Sequence, residues 1–184
     1  MDVETMKKWD IDMAKEMSNK MRNQVISSKI NSPMFIGIDP DTEKSGVATW
    51  DKTKKVLKLE RNMDLFSLLK YIDTMSHIYS IRVYVSAGWR IKKTNFHRKN
   101  VNVNYSNPIS VSKYIGTIEK IMEKVGANHE IGKQIMKYCD SNNIEVYEVT
   151  PRGKVDSKTF RKYTGWTHQS NQEQRDAAMT IFGR

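Results

Sequence analysis

Met34-Phe35-Ile36-Gly37-Ile38-Asp39-Pro40 is the stretch on which the reading of this chain turns. Five mostly apolar residues run into an acid and then a proline. An apolar run this short, bounded by a turn signal, reads as a buried strand that ends at Asp39. An acid at the exit of such a strand needs a reason to be there. Burying an unpaired carboxylate costs several kcal/mol, and a divalent cation removes that cost. The bland alternative stays open, because Asp-Pro is also good turn chemistry.

Outward from this run, residues 40–46 form a turn, with Ser45-Gly46-Val47-Ala48 leading into the next strand. Residues 47–50 and 55–59 read as two more strands, so the first three make a meander. Residues 64–75 carry Leu65, Leu68, Leu69 and Ile72 at helical spacing, and Ile81, Val83 and Val85 alternate in a fourth strand ending near 86–88. A loop rich in Lys, Arg and Asn covers 89–110, and loops of that length usually carry function. The spacing predicts a long helix over 114–139, a fifth strand over 144–149, a short helix near 157–163 and a last helix over 171–182. Upstream, Met6, Trp9, Met13, Met17 and Met21 form one face of an amphipathic helix over 3–28. Asn31-Ser32-Pro33 breaks it. The expected organisation is an N-terminal helical extension, 1–32, and one α/β domain, 33–184, with a five-stranded mixed sheet flanked by helices.

The second chemical signal lies at the far end: Asn171-Gln172-Glu173-Gln174-Arg175-Asp176-Ala177-Ala178. Glu173 and Asp176 are three apart and share a helix face. Two acids facing a third across a sheet suit oxygen-ligated Mg²⁺ or Mn²⁺, and two such ions can drive phosphodiester hydrolysis. A competing reading makes Glu173 the third helical residue of a capping box begun at Ser170. Asp176, further inside the helix, has no such role.

Charge points to a polyanion. The chain of 184 residues has 31 Lys and Arg against 21 Asp and Glu, a net charge of +10. Between Thr74 and Ile118 there is no carboxylate, while Arg82, Arg90, Lys92, Lys93, Arg98, Lys99 and Lys113 all fall there. Rings interleave with the cations in Trp89, Arg90, Lys92, Lys93, Phe96, His97, Arg98 and Lys99, so cations can track phosphates while a ring stacks on a base. Solvated charge is the plain alternative, and Trp89 packing on the sheet is another. A second basic segment, Arg152, Lys154, Lys158, Arg161 and Lys162, is expected beside the acids. His129 sits on the apolar face of the long helix and reads as a core histidine. A single cysteine, Cys139, leaves no internal disulfide. Zinc spacing, nucleotide-binding glycine fingerprints, a signal peptide and a membrane span are absent from the sequence. The expected setting is the cytoplasm, with no membrane partner and no small-molecule cofactor.

With these residues in view, the chain resembles the RuvC family of Holliday junction resolvases, of the RNase H-like superfamily, and is closest to its phage-encoded members. The resemblance runs over 34–183. It rests on strand-ending Gly37-Ile38-Asp39-Pro40, the meander, and the acid-x-x-Asp-Ala-Ala of the last helix. Three central segments add to it: Val125-Gly126-Ala127-Asn128-His129-Glu130-Ile131-Gly132; Ile144-Glu145-Val146-Tyr147-Glu148-Val149-Thr150-Pro151; and Lys162-Tyr163-Thr164-Gly165. It implies an RNase H-like sheet and a homodimer on a four-way junction or other branched double-stranded DNA. Two Mg²⁺- or Mn²⁺-dependent sites would then nick opposed strands in recombination or repair. Asp39 matches the family's first-strand acid, and Glu173 and Asp176 match the pair on its last helix. The family's aromatic wedge falls on Phe96 or Trp89.

One position departs from the pattern. The family has a catalytic Glu at the end of the fourth strand, where this chain has Ser86, a neutral and poor metal ligand. Three explanations stand: an inactivating substitution, a natural relative that binds junctions without cutting them, or another acid, Glu60, taking the place. The first expectation is therefore a junction endonuclease, the second a catalytically dead junction-binding protein. A nuclease for RNA–DNA hybrids or forks is a third.

Overall fold

The computed structural model describes residues 30–91, 106–151 and 153–184. The expected helix over 3–28 lies outside these residues, as do Lys92, Lys93, Phe96, His97, Arg98, Lys99 and Arg152. Among the described residues no helix is long and apolar enough to cross a membrane.

Among the described residues five strands form one mixed sheet: β1 (Ile30–Asp39), β2 (Gly46–Asp51), β3 (Val56–Leu59), β4 (Tyr79–Ser86) and β5 (Glu145–Val149), in the order β3-β2-β1-β4-β5. β1 pairs antiparallel with β2, and β2 with β3, while β4 lies parallel to β1 and β5 parallel to β4. The meander, the crossovers and the five-stranded α/β class are as the sequence predicts. β1 starts earlier than its apolar run. Ile30 pairs with Tyr79 and Pro33 with Ser80 across an irregularity, so the 31–33 segment read as a helix break is strand.

Among the described residues four helices cover the sheet, α1 (Leu65–Ile78), α2 (Pro108–Ser141), α3 (Ser157–Thr164) and α4 (Gln172–Ile181), with a single 3₁₀ turn at Gly88–Arg90. α2 begins six residues before the expected 114. Asn107 caps it by accepting from the backbone N–H of Ile109 and Ser110, and Pro108 supplies the first helical residue. At 34 residues it is about 51 Å long, far beyond the roughly 17 Å of β5. Its buried residues, Gly132, Ile135 and Cys139, all lie in its C-terminal third.

The two sheet faces carry separate cores. One packs Ile36, Ile38, Val47, Val83 and Val85 against Leu68 and Ile72 of α1 and Ile135 and Cys139 of α2. The other packs Phe35, Ala48, Trp50 and Tyr84 against Phe160 of α3 and Ala177, Ala178 and Ile181 of α4. α4 approaches this face unusually closely because β1 and β2 offer it glycines. A Cβ on Gly37 would strike the carbonyl oxygen of Ala177, and one on Gly46 the carbonyl of Glu173. Those two bare positions set the height of the last helix above the strand ends.

Candidate active site

β1, β4 and β5 run parallel, so their C-terminal ends share one edge of the sheet. Asp39 ends β1 and Ser86 ends β4, and α4 begins above them. The result is a cleft of about 520 Å³ lined by Asp39, Ser86, Glu173 and Asp176, with Lys154 on its wall. Acids 134 or more positions apart in sequence thus reach one pocket, because the glycine contacts seat α4 on the sheet.

Asp39 is half-buried at the strand exit. Burial pushes its carboxyl up to about 7, Asp176 adds to the rise, and the Ser86 hydroxyl offsets part of it by donating a hydrogen bond. Lys154 lowers it further and Glu173 raises it. Asp176 is raised as well, chiefly by burial. Its orientation is fixed by a short relay. The Arg175 guanidinium donates to Gln172 Oε1 at 2.8 Å, and Gln172 Nε2 donates to Asp176 Oδ1 at 2.7 Å. Arg175 is itself buried and also binds the carbonyls of Val155 and Ser170 at 3.1 and 2.7 Å, tying the Lys154 segment to α4. The sequence marks Gln172 and Asp176 only as an i, i+4 pair, and nothing in it marks Arg175 as buried.

The capping reading of Glu173 does not hold. The cap is Asn171, whose side chain accepts from the Gln174 backbone N–H, and Gln174 returns the bond, so Gln174 completes the box. Glu173, one residue earlier, faces the cleft. Glu60 does not take the place of the missing fourth-strand acid. It accepts from Lys58 Nζ at 2.9 Å, from Tyr71 Oη at 3.3 Å and from Thr49 Oγ1 at 3.4 Å, and it does not line the cleft.

The opposite wall is apolar and aromatic: Trp89, Ile91, Val125 and His129. Trp89 donates to Glu148 Oε1 at 3.2 Å, meets the His129 ring edge-to-face at 5.9 Å, and fits a notch that a Cβ on Gly132 would fill. Trp89 therefore packs on α2 while lining the cleft, and His129 lines it as well. Arg90 pairs with Glu148 at 2.9 Å and stays largely exposed. Asn128 of α2 accepts from the Thr42 N–H at 3.0 Å and donates to Asp41 at 3.1 Å, clamping the turn that follows Asp39. Sequence reasoning did not find this clamp, because its partners lie more than eighty residues apart. Among the described residues of the second basic segment, only Lys154 reaches the cleft. Lys158, Arg161 and Lys162 sit on the exposed side of α3 and line none of it, because Phe160 turns inward and fixes the helix face.

At the strand exit the donor set is the carboxylates of Asp39, Glu173 and Asp176 with the Ser86 hydroxyl, the oxygen chemistry that Mg²⁺ or Mn²⁺ takes, while a fourth carboxylate of the cleft, Asp41, is held by Asn128 and the Glu43 N–H. The Asp39 carboxyl is raised chiefly by burial and next by Asp176, and a cation at the strand exit would relieve both. The chemistry fits a hard divalent cation, although among the described residues no group of three or more His, Cys, Asp or Glu is already drawn together to hold one.

No known family matches the chain, and no curated protein matches it. Among solved structures it is similar to "T. thermophilus RuvC in complex with Holliday junction substrate", at 11% identity and a TM-score of 0.44, over 80% of this chain and 89% of that one.

Proposed function

We propose that this chain is a structure-selective endodeoxyribonuclease of RNase H-like, RuvC-type architecture, resolving four-way junctions or other branched DNA. The observation that carries the reading is the meeting of Asp39, Glu173 and Asp176 in one cleft, with Lys154 beside them. Like charges gathered at a strand exit are costly unless a cation joins them. Asp39, Asp176 and Glu173 would hold one or two Mg²⁺ or Mn²⁺ ions. Bound there, the ions would supply activation of water and neutralisation of charge on the phosphodiester. Lys154 binds a phosphate oxygen near the acids. The wall of Trp89, Ile91 and His129 limits water on the far side. Arg90, Lys92, Lys93, Phe96, His97, Arg98, Lys99 and Arg152 belong to the DNA-facing surface, and Lys158, Arg161 and Lys162 contact phosphates at its margin. Shape and backbone charge, more than base edges, then select the substrate.

Two copies would act on opposed strands. Support comes from α2, whose apolar spacing Val111, Ile115, Ile118, Met122 and Val125 continues past the packed third of the helix in steps of four and three. Ile115 is 50% exposed and Met122 64%. Sedimentation of the free chain as a dimer supports this arrangement, and a monomer on bound junction removes it.

Ser86 favours a second reading, a junction-binding protein that does not cut. It is buried, and its hydroxyl is already spent on Asp39. A gel shift and a cleavage assay on one four-way junction with Mn²⁺ separate the two. Nicks that vanish in Asp39→Asn support the enzyme. Tight binding without nicks, with cutting gained in Ser86→Glu, identifies a disabled nuclease scaffold. No junction preference over linear duplex refutes both.

A further inference from the structure

Among the described residues, the buried side-chain polar atoms without a hydrogen-bond partner are Nε1 of Trp50 and Nε1 of Trp166. Both rings line one pocket of about 390 Å³, which shares no residue with the acidic cleft. Trp50 is only 8% exposed. A buried donor left unmet is costly, so two indoles with unmet N–H groups lining one pocket mark a local deficit of acceptors. Each indole has an edge-to-face ring neighbour, Phe182 at 5.2 Å and His168 at 5.5 Å, but ring contacts of this kind are second-order substitutes for a hydrogen bond.

The rest of the pocket extends the same imbalance. Lys55 and His168 line it, and no carboxylate does. Lys52 stands on the adjoining β2–β3 hairpin, where Lys54 and Lys58 already pair with Asp51 and Glu60. Val56, Leu57 and Phe182 give it an apolar floor. Val56 and Leu57 belong to β3, the outermost strand on that side of the sheet, whose far edge pairs with no strand among the described residues. Such an edge accepts an extended chain through main-chain hydrogen bonds, with an adjacent pocket reading alternate side chains. Its brevity and its lysine protect it from indiscriminate pairing.

We propose that this pocket docks an extended acidic segment of a partner protein. The segment adds to the open edge of β3 and places a carboxylate against the indole N–H groups of Trp50 and Trp166, beside Lys55. Apolar residues flanking the acid rest on Val56, Leu57 and Phe182. A nucleic-acid phosphate is the competing source of acceptors. The unpaired strand edge and the apolar floor favour peptide, which offers matching main-chain groups where a sugar-phosphate chain does not. Both indole nitrogens are covered in the free chain, so the acceptor reaches them only as the side chains around the pocket give way. This site stands apart from the nuclease reading and survives its failure.

The test uses the full chain with ¹⁵N-labelled tryptophan. Trp50→Phe and Trp166→Phe assign the two indole signals and remove one donor each while keeping a ring. The probes are an array of capped hexapeptides with Asp or Glu between Val, Ile or Leu residues, the same array with Asn or Gln, inorganic phosphate, and a twelve-residue oligothymidylate. The expected result is retention on acidic peptides only, movement of both indole signals, and slowed amide exchange along β3. Trp166→Phe is expected to weaken retention about tenfold, the loss of one hydrogen bond to a charged acceptor. The proposal is overturned if no peptide is retained, if Asn and Gln peptides bind as well, if Trp166→Phe binds undiminished, or if phosphate or oligothymidylate moves the indole signals more than any peptide.

Discussion

Asp39 is strained by its own charge. Its folded carboxyl titrates near 7, well above an unfolded aspartate, so the native chain holds that proton more tightly than the unfolded chain. The stabilisation linked to protonation is complete below about pH 4 and is lost as pH rises toward 7. Asp39→Asn removes the penalty. Allowing for screening in an open cleft, the variant is expected to gain about 2 kcal/mol at pH 8 and nothing at pH 4, read as paired melting curves. Equal stability at both values would mean that the carboxyl is well solvated. Lys154 makes a second residue-level test. If it meets a DNA phosphate, Lys154→Ala lowers the salt dependence of junction binding by roughly one in log–log slope. An unchanged slope assigns Lys154 to the acids alone. Asp39 and Asp176 could be singled out in the sequence as acids in apolar settings, although Asp-Pro turn chemistry left a plain alternative open for Asp39. Asn128 and Arg175 were not, because their roles depend on partners that only the folded chain brings near.

At the scale of elements, α4 carries the site, and two glycines and a cap hold it. Gly37→Ala puts a methyl into the Ala177 carbonyl, so the helix must rise from the sheet. A loss of about 1–3 kcal/mol in urea unfolding is expected. Asn171→Ala removes one half of the capping box, at about 1 kcal/mol. If Gly37→Ala melts like the parent chain, α4 does not sit where its contacts with β1 require. The strands and helices read well from periodicity, since each buries one face. Boundaries read less well. β1 extends back through 30–33 by pairing with β4, a tertiary gain that overrides the turn chemistry of Asn-Ser-Pro. α2 starts at Pro108 because Asn107 caps it, a local signal hidden inside a long polar stretch. The capping of α4 was misread by one residue, which is the difference between Glu173 closing its own helix and Glu173 facing the cleft.

At the scale of the whole molecule, the sheet separates two cores, and its upper edge gathers the acids. Cys139 lies at the heart of one core, with its thiol pushed up to about 12 by burial. It is expected to resist thiol reagents until global unfolding, so labelling rates in urea report the stability of the α1–α2 side. Fast labelling in buffer would show that α2 opens on its own. The net charge of +10 is the compositional basis for expecting a polyanion, and the proposed chemistry rests on acids distant in sequence lining one cleft. The most direct test of that convergence is an anomalous-scattering map from crystals of the chain grown with Mn²⁺. A peak coordinated by Asp39 and Asp176 at the mouth of the cleft is the predicted result. Mn²⁺ bound elsewhere, or nowhere, with the two carboxylates turned apart, would contradict it.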